Sequence, residues 1–362
     1  MKIVTIVGAR PQFIKAAPVT QSIRKKHAEV LVHTGQHYDD AMSAVFFKEL
    51  DIPLPDYNLE VGSGSHGRQT GEMLMRIEKV LEAEKPDYVL VYGDTNSTLA
   101  GSLASVKLQI PVAHVEAGLR SFNRAMPEEY NRVLTDHCAN ILFCPTQTSV
   151  ENLMREGICN GVHLVGDVMY DAIRLFGSVA LEQSKILDEL NLGSKDYLLA
   201  TLHRPYNTDT AERLQQFLDI LFEIDEKIVF PAHPRTLQKL SSKQLNRLQQ
   251  SNVLLINPIG YLDMLKLEQN ARMILTDSGG VQKEAFLFSV PCITLRSETE
   301  WTETVDYGWN KVTGMDRSKI LHALYNEAWP SANNLNAIFG NGYASEKIID
   351  ILDDVHKIGS HT

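Results

Sequence analysis

Short apolar runs rich in β-branched residues recur along the chain, each closed by a turn signal and followed by a segment with helical spacing. Lys2–Val7 ends at Gly8, and a helix with Pro11 near its start follows through Lys25. The pattern returns at Val30–His33, at Tyr88–Tyr92 followed by Thr98–Lys107, at Pro111–Val115, and at Ile141–Phe143 followed by Ser149–Glu156. These runs lack polar alternation, which is the mark of strands buried on both faces. Interleaved with helices, they predict a parallel sheet covered on each side.

After a helical segment over Asp167–Phe176 and a polar stretch over Leu181–Lys195, the alternation restarts. It runs through Tyr197–Thr201, Ala211–Ile224, Lys227–Phe230, Val253–Ile256, Met273–Thr276 and Cys292–Leu295. A second α/β unit is the simplest explanation, and 362 residues exceed the usual size of one hydrophobic core. The expected division is 1–178 for the first Rossmann-like domain and 179–345 for the second, with a cleft between them. A C-terminal helix over Ser345–His356, in segment 346–362, is free to pack back on the first domain.

The formal net charge of −10 argues against a nucleic-acid binder that works by neutralising phosphates. An anionic substrate would need a locally basic pocket. Cys138, Cys144, Cys159 and Cys292 form no CxxC pair, two of them sit in apolar strand-like runs, and they are read as reduced core thiols of a cytoplasmic protein. The N-terminal MKIVTIVGAR lacks the features of a signal peptide, and no stretch approaches the ~20 apolar residues of a membrane span, so no membrane partner is expected.

In open α/β sheets ligands bind beyond the carboxyl ends of the strands, so the residues just after each strand carry the chemistry. Gly8-Ala9-Arg10-Pro11, with Lys15 one turn further on, offers backbone N–H groups and two cations to an anion, or is a tight turn with surface charges. Thr276-Asp277-Ser278-Gly279-Gly280 leaves a strand and enters a helix. Its glycines allow close backbone approach, Ser278 can cap the helix, and the helix N-terminus favours a diphosphate. Glu284, one turn inside, can accept ribose hydroxyls; the alternative is a capped helix with a solvated Glu. Asp94 follows Tyr88–Tyr92, Glu116 follows Pro111–Val115, and Glu128 opens a helix in which Arg132 lies four residues on and shares its face. Singly, Asp94 is a turn or cap residue and Glu128 a favourable first-turn charge; their convergence on one sheet edge points to acid–base work.

His203-Arg204 and Ala232-His233 likewise follow strands. No HExxH or comparable ligand pattern accompanies the histidines, so no metal is expected and phosphate or sugar contact is favoured. A bound redox cofactor would ordinarily need GxGxxG after the first strand, which is absent. Tyr307 and Lys311 match the Tyr-x-x-x-Lys spacing of short-chain dehydrogenases, but Gly308 and Asn310 argue against the helix that spacing needs.

With GARPQFIKAAP, GDTNST, HVEAGLRS, PEEYNR, the His203-Arg204 loop, TDSGGVQKEA and LRSETE in this order, the chain resembles the non-hydrolysing UDP-N-acetylglucosamine 2-epimerases. The resemblance implies the glycosyltransferase-B architecture, α/β with two Rossmann-like domains facing a central cleft, and a cytoplasmic homodimer with no bound cofactor. It also implies interconversion of UDP-GlcNAc and UDP-ManNAc through loss of UDP to a 2-acetamidoglucal and its re-addition. By motif position Asp94, Glu116, Glu128 and His203 resemble the catalytic set. Arg10, Lys15, Arg132, His233, Ser278, Gly279, Gly280 and Glu284 resemble UDP-sugar contacts. Two departures bear on substrate: His203-Arg204-Pro205-Tyr206-Asn207 stands where the common pattern is HRREN, and Thr299-Glu300-Trp301-Thr302-Glu303 where it is TERPE. Both are closer to branches acting on more elaborate sugars, such as UDP-2,3-diacetamido-2,3-dideoxyglucuronic acid. A glycosyltransferase of the same architecture would share the nucleotide half and differ in needing an acceptor.

Overall fold

The computed structural model describes residues 1–36, 52–202, 204–208, 210–232, 234–331 and 338–359. Met1–Leu175 together with Asn336–Thr362 form one unit, and Phe176–Leu335 form another.

The first unit runs β1 (Lys2–Val7), α1 (Arg10–Arg24), β2 (Ala28–His33), β3 (Tyr57–Asn58), α2 (His66–Glu84), β4 (Tyr88–Tyr92) and α3 (Asn96–Lys107). It continues with β5 (Val112–Val115), α4 (Pro127–Cys138), β6 (Ile141–Cys144), α5 (Gln147–Arg155), β7 (Val162–Leu164) and the start of α6 (Val168–Gln183). All seven strands are parallel, in the order β3-β2-β1-β4-β5-β6-β7. Strand order therefore reverses between β1 and β4, and a crevice opens there beyond the strand ends. Gln12 fixes its geometry: Oε1 accepts from the N–H groups of Gly8 (2.9 Å) and Ala9 (3.1 Å), while Nε2 donates to the Tyr92 carbonyl (2.9 Å). Thr95 caps α3 in a box with Thr98.

The strand-by-strand reading passes over α2. Its buried residues Met73, Ile77, Val80 and Leu81, with Gln69 one turn before them, fall on one face of the helix.

The second unit contains α7 (Ile186–Glu189), β8 (Leu198–Thr201), α8 (Pro205–Thr208), α9 (Ala211–Glu223), β9 (Ile228–Pro231), α10 (Pro234–Lys239), α11 (Ser242–Gln249) and β10 (Val253–Ile256). It goes on through α12 (Tyr261–Asn270), β11 (Met273–Thr276), α13 (Gly279–Leu287), β12 (Cys292–Thr294), α14 (Thr302–Asp306), β13 (Asn310–Val312) and α15 (Arg317–Tyr325). Its six parallel strands run β10-β9-β8-β11-β12-β13, so the reversal falls between β8 and β11. Phe217, Leu221, Phe230 and Ile320 build the core on one side of this sheet, with Tyr197, Leu199, Ile274 and Ala285 on the other. Ile186 and Leu192, from the polar stretch, are buried in that second cluster.

The chain then returns to the first unit as α16 (Ala344–Gly359), whose N-terminus is capped by Asp171. That carboxylate accepts from the N–H groups of Ala344 (2.9 Å) and Ser345 (2.7 Å) and from the Ser345 hydroxyl (2.5 Å). Among the described residues no helix is long and apolar enough to cross a membrane. Tyr307 ends α14 and Lys311 lies in β13, so the two share no helix. The cysteines correct the expectation of four core thiols: Cys144 and Cys292 are buried, Cys138 is half-buried and Cys159 is exposed.

Candidate active site

In the first unit the expected residues gather at the switch point. Glu116, directly after β5, is held by an ion pair from Lys15 on α1, and its backbone is left-handed at φ 72°. A non-glycine residue rarely adopts that conformation, which aims the carboxylate back over the end of β4. Gly93, itself at φ 62°, makes room for it: a Cβ there would lie 3.2 Å from both Glu116 Oε2 and Lys15 Nζ. Asp94 follows, half-buried, and its Oδ2 is 2.5 Å from Arg132 Nη2. Arg132 is only 2% exposed and also pairs with Glu129 at 3.1 Å. These two partners are ones the helical spacing did not name. Glu128 lies half-buried on the first turn of α4, and Arg10, half-buried, opens α1.

Beneath this surface His114, Asp136 and Arg120 form a buried chain that ends at Glu156 on the surface. His114 Nδ1 is 2.7 Å from Asp136 Oδ1, and its Nε2 is 2.7 Å from the Gly93 carbonyl. Asp136 Oδ2 accepts from Arg120 (2.7 Å) and from the Gly118 N–H (3.1 Å), and Arg120 makes a second, two-pronged pair with Glu156 at 2.7 Å. Burial works to raise the Asp136 pKa, but the hydrogen bond and charge of His114 and the Arg120 guanidinium outweigh it, and the net shift is downward.

In the second unit Ser278 caps α13, its hydroxyl accepting from the Val281 N–H, so the helix N-terminus and the Gly279-Gly280 backbone sit directly after β11 at the switch point. Gly279 lies close against the loop that follows β12: a Cβ there would be 2.6 Å from Glu300 Oε1 and 3.1 Å from Trp301 Nε1, so either side chain would have to shift. Asp277 is wholly buried and accepts from the Arg204 N–H and the Asn207 side chain, both at 3.0 Å, which ties the loop after β8 to the loop after β11. Glu284 is 4% exposed and accepts from the Tyr261 hydroxyl at 2.9 Å, so it is an anchored group and not a solvated one. Trp301 is buried with Lys283 Nζ 3.8 Å from its ring centroid, a cation–π contact at the same loop. His203 and His233 lie outside the described residues.

Sequence reasoning missed Tyr261, Lys283, and the set of His114, Arg120 and Asp136. His114 stands inside the HVEAG run, and Asp136 continues the four-residue spacing of Glu128 and Arg132, so a signal for both was present. Tyr261 and Lys283 had none beyond their neighbours.

A carboxylate set braced by cations in one Rossmann-like unit, and a capped glycine-rich helix start in another, define a class: enzymes that act on nucleotide-linked substrates. The model of the family described as UDP-N-acetylglucosamine 2-epimerase matches residues 21–353. A relative from Methanococcus maripaludis named UDP-N-acetylglucosamine 2-epimerase homolog is 56% identical over 97% of this chain and 99% of its own. The UDP-2,3-diacetamido-2,3-dideoxy-D-glucuronate 2-epimerase of Pseudomonas aeruginosa is 47% identical over the same shares, 97% and 99%. Among solved structures, the Methanocaldococcus jannaschii UDP-GlcNAc 2-epimerase in complex with UDP-GlcNAc and UDP superposes with a TM-score of 0.90 at 46% identity, covering 98% of this chain and 99% of that one. The chain belongs to the UDP-N-acetylglucosamine 2-epimerase family, isomerases of UDP-sugars with this two-sheet, glycosyltransferase-B-like fold.

Proposed function

We propose that this chain interconverts UDP-GlcNAc and UDP-ManNAc by elimination and re-addition of UDP. A carboxylate takes the C2 proton as the C1–O bond breaks and its electron pair leaves with UDP, which creates the C1=C2 bond of a 2-acetamidoglucal. UDP then adds back to C1 while a proton is delivered to the opposite face of C2. Because the C2–H bond is weakly acidic, the step depends on a fixed base and on stabilising the departing diphosphate. The observation that carries this reading is the joint presence, at one sheet edge, of Asp94 paired to Arg132 and Glu116 paired to Lys15. Asp94, Glu116, Glu128 and His203 are the proposed acid–base groups. Arg10, Lys15, Arg132, His233, Ser278, Gly279, Gly280 and Glu284 are the proposed UDP-sugar contacts.

A second substrate, UDP-2,3-diacetamido-2,3-dideoxyglucuronic acid, is favoured by the 47% identity to the Pseudomonas enzyme and by Trp301 at the diphosphate loop. Proton NMR in deuterated water with each UDP-sugar separates the two. A manno isomer carrying deuterium at C2 from UDP-GlcNAc supports the first reading, turnover of the uronate alone moves the substrate, and silence from both sinks the epimerase. We also propose a cytoplasmic homodimer: Tyr130 and Leu134, one turn apart on α4, are 53% and 48% exposed. A monomeric mass by light scattering would refute the dimer.

A further inference from the structure

We propose that His114 is the positioning residue that sets Asp94 against Glu116, acting through the Gly93 carbonyl while Asp136 holds the ring in place. The inference rests on the epimerase reading and deepens it.

The carbonyl of Gly93 can only accept, so Nε2 of His114 carries a proton. Nδ1 faces a carboxylate oxygen at 2.7 Å, which requires a proton between them, and the guanidinium of Arg120 with the Gly118 N–H on the other oxygen keeps that carboxylate ionised. The ring is therefore hydrogen-bonded at both ends, to a carbonyl on one side and a carboxylate on the other. It is wholly buried, and so is Asp136, so the pair is neither screened nor solvated.

Each arm of this ring leads to a different carboxylate. Toward β4, it clamps the carbonyl of Gly93, whose N–H is already bound to the Val115 carbonyl at 3.0 Å; with both sides of the left-handed residue fixed, the peptide leading into Asp94 cannot turn over. Along its own strand, Glu116 is two residues on, and Gly93 flanks the Glu116–Lys15 pair. Toward α4, Asp136 is four residues from Arg132 and eight from Glu128. Its attachment to His114 ties the ring to the helix that carries Arg132, the partner of Asp94, and so fixes the orientation of the ring.

The two amide isosteres separate the arms. His114→Asn keeps a donor near the Nδ1 position for Asp136 and releases Gly93; His114→Gln keeps a donor near the Nε2 position for Gly93 and releases Asp136. On UDP-GlcNAc or the uronate, whichever the wild-type enzyme turns over, His114→Asn should lower kcat by about 100-fold. KM and the Kd for UDP should stay within about threefold of wild type, and His114→Gln should recover most of the rate despite an equal or larger fall in melting temperature. Rates that track melting temperature in both variants, or a normal rate in His114→Asn, would overturn the proposal. Should both variants prove insoluble, nitrogen-15 NMR of the histidine-labelled wild-type protein decides: a hydrogen-bonded proton on His114 Nε2 supports it, and a bare Nε2 overturns it. A wild-type enzyme that turns over neither sugar would instead remove the epimerase reading, leaving the NMR result to stand alone.

Discussion

Arg132 reaches from the middle of α4 to Asp94 at the end of β4, Nη2 to Oδ2 at 2.5 Å, while its other terminal nitrogen pairs with Glu129. Two carboxylates thus depend on one buried guanidinium. Arg132→Met should leave the fold assembled but less stable by about 1.5–3 kcal/mol, the worth of hydrogen bonds to a charged group. Turnover of the UDP-sugar should fall by about 100-fold or more, because Asp94 loses its fixed direction. Urea titration and steady-state kinetics check the two effects, and a variant with wild-type kcat would show that Asp94 needs no such brace.

In the second unit the equivalent brace is Tyr261 to Glu284. If Glu284 holds the ribose, Tyr261→Phe should weaken UDP binding by about tenfold, the equivalent of ~1.4 kcal/mol, while kcat at saturation changes little. Calorimetric titration with UDP measures this directly. A fall in kcat with unchanged UDP affinity would move Glu284 from binding to chemistry.

Asp136 offers a test with a definite sign. Its folded-state pKa is depressed below the ordinary 3.8 by His114 and Arg120 despite its burial. Its contribution to stability is therefore fully present above that value and is lost as pH falls through the lower, folded one. Asp136→Asn should cost about 3–5 kcal/mol at pH 7, where it takes the buried carboxylate from His114 and one of two from Arg120, and the gap to wild type should narrow below about pH 3.8. Denaturant midpoints at pH 7, 5 and 3 suffice, and a gap that widens on acidification would contradict the assignment.

Thiol chemistry should divide the four cysteines. Burial pushes the Cys144 and Cys292 thiols up to about 12, and raises Cys138 less. At pH 8 the exposed Cys159 should react rapidly with a disulfide reagent, Cys138 slowly, and the other two only after unfolding. Mass spectrometry of partly labelled protein reads the order, and early labelling of Cys292 would mean that the second sheet opens.

Much of this molecule was legible beforehand because its information is local. The run Lys2–Val7 closed by Gly8, and the run Met273–Thr276 closed by Ser278-Gly279-Gly280, each announce strand, turn and helix within a dozen residues, and alternation of such units implies a parallel sheet. Glu116 and Asp94 could be singled out because strand ends are where such sheets bind ligands. What stayed hidden was pairing across elements. His114 and Asp136 are 22 residues apart, Tyr261 and Glu284 23, and Arg132 and Asp94 38; no periodicity joins them until strand order brings β4, β5 and α4, or α12 and α13, side by side. Cys159 was misread for a related reason, since the apolar context that buries Cys144 and Cys292 does not extend to a residue in a turn after α5.

The cap that Asp171 places on α16 has a consequence for how the protein is made. The second unit is one unbroken stretch of chain, whereas the first is assembled from segments on either side of it. During vectorial synthesis the second unit emerges whole, while the segment made before it waits with the α1 surface uncovered and Asp171 without the helix it caps. The first unit, which carries the proposed acid–base carboxylates, is thus the last to be completed, and a chain cut short before Ala344 would hold a second unit complete in sequence beside an unfinished, aggregation-prone first one.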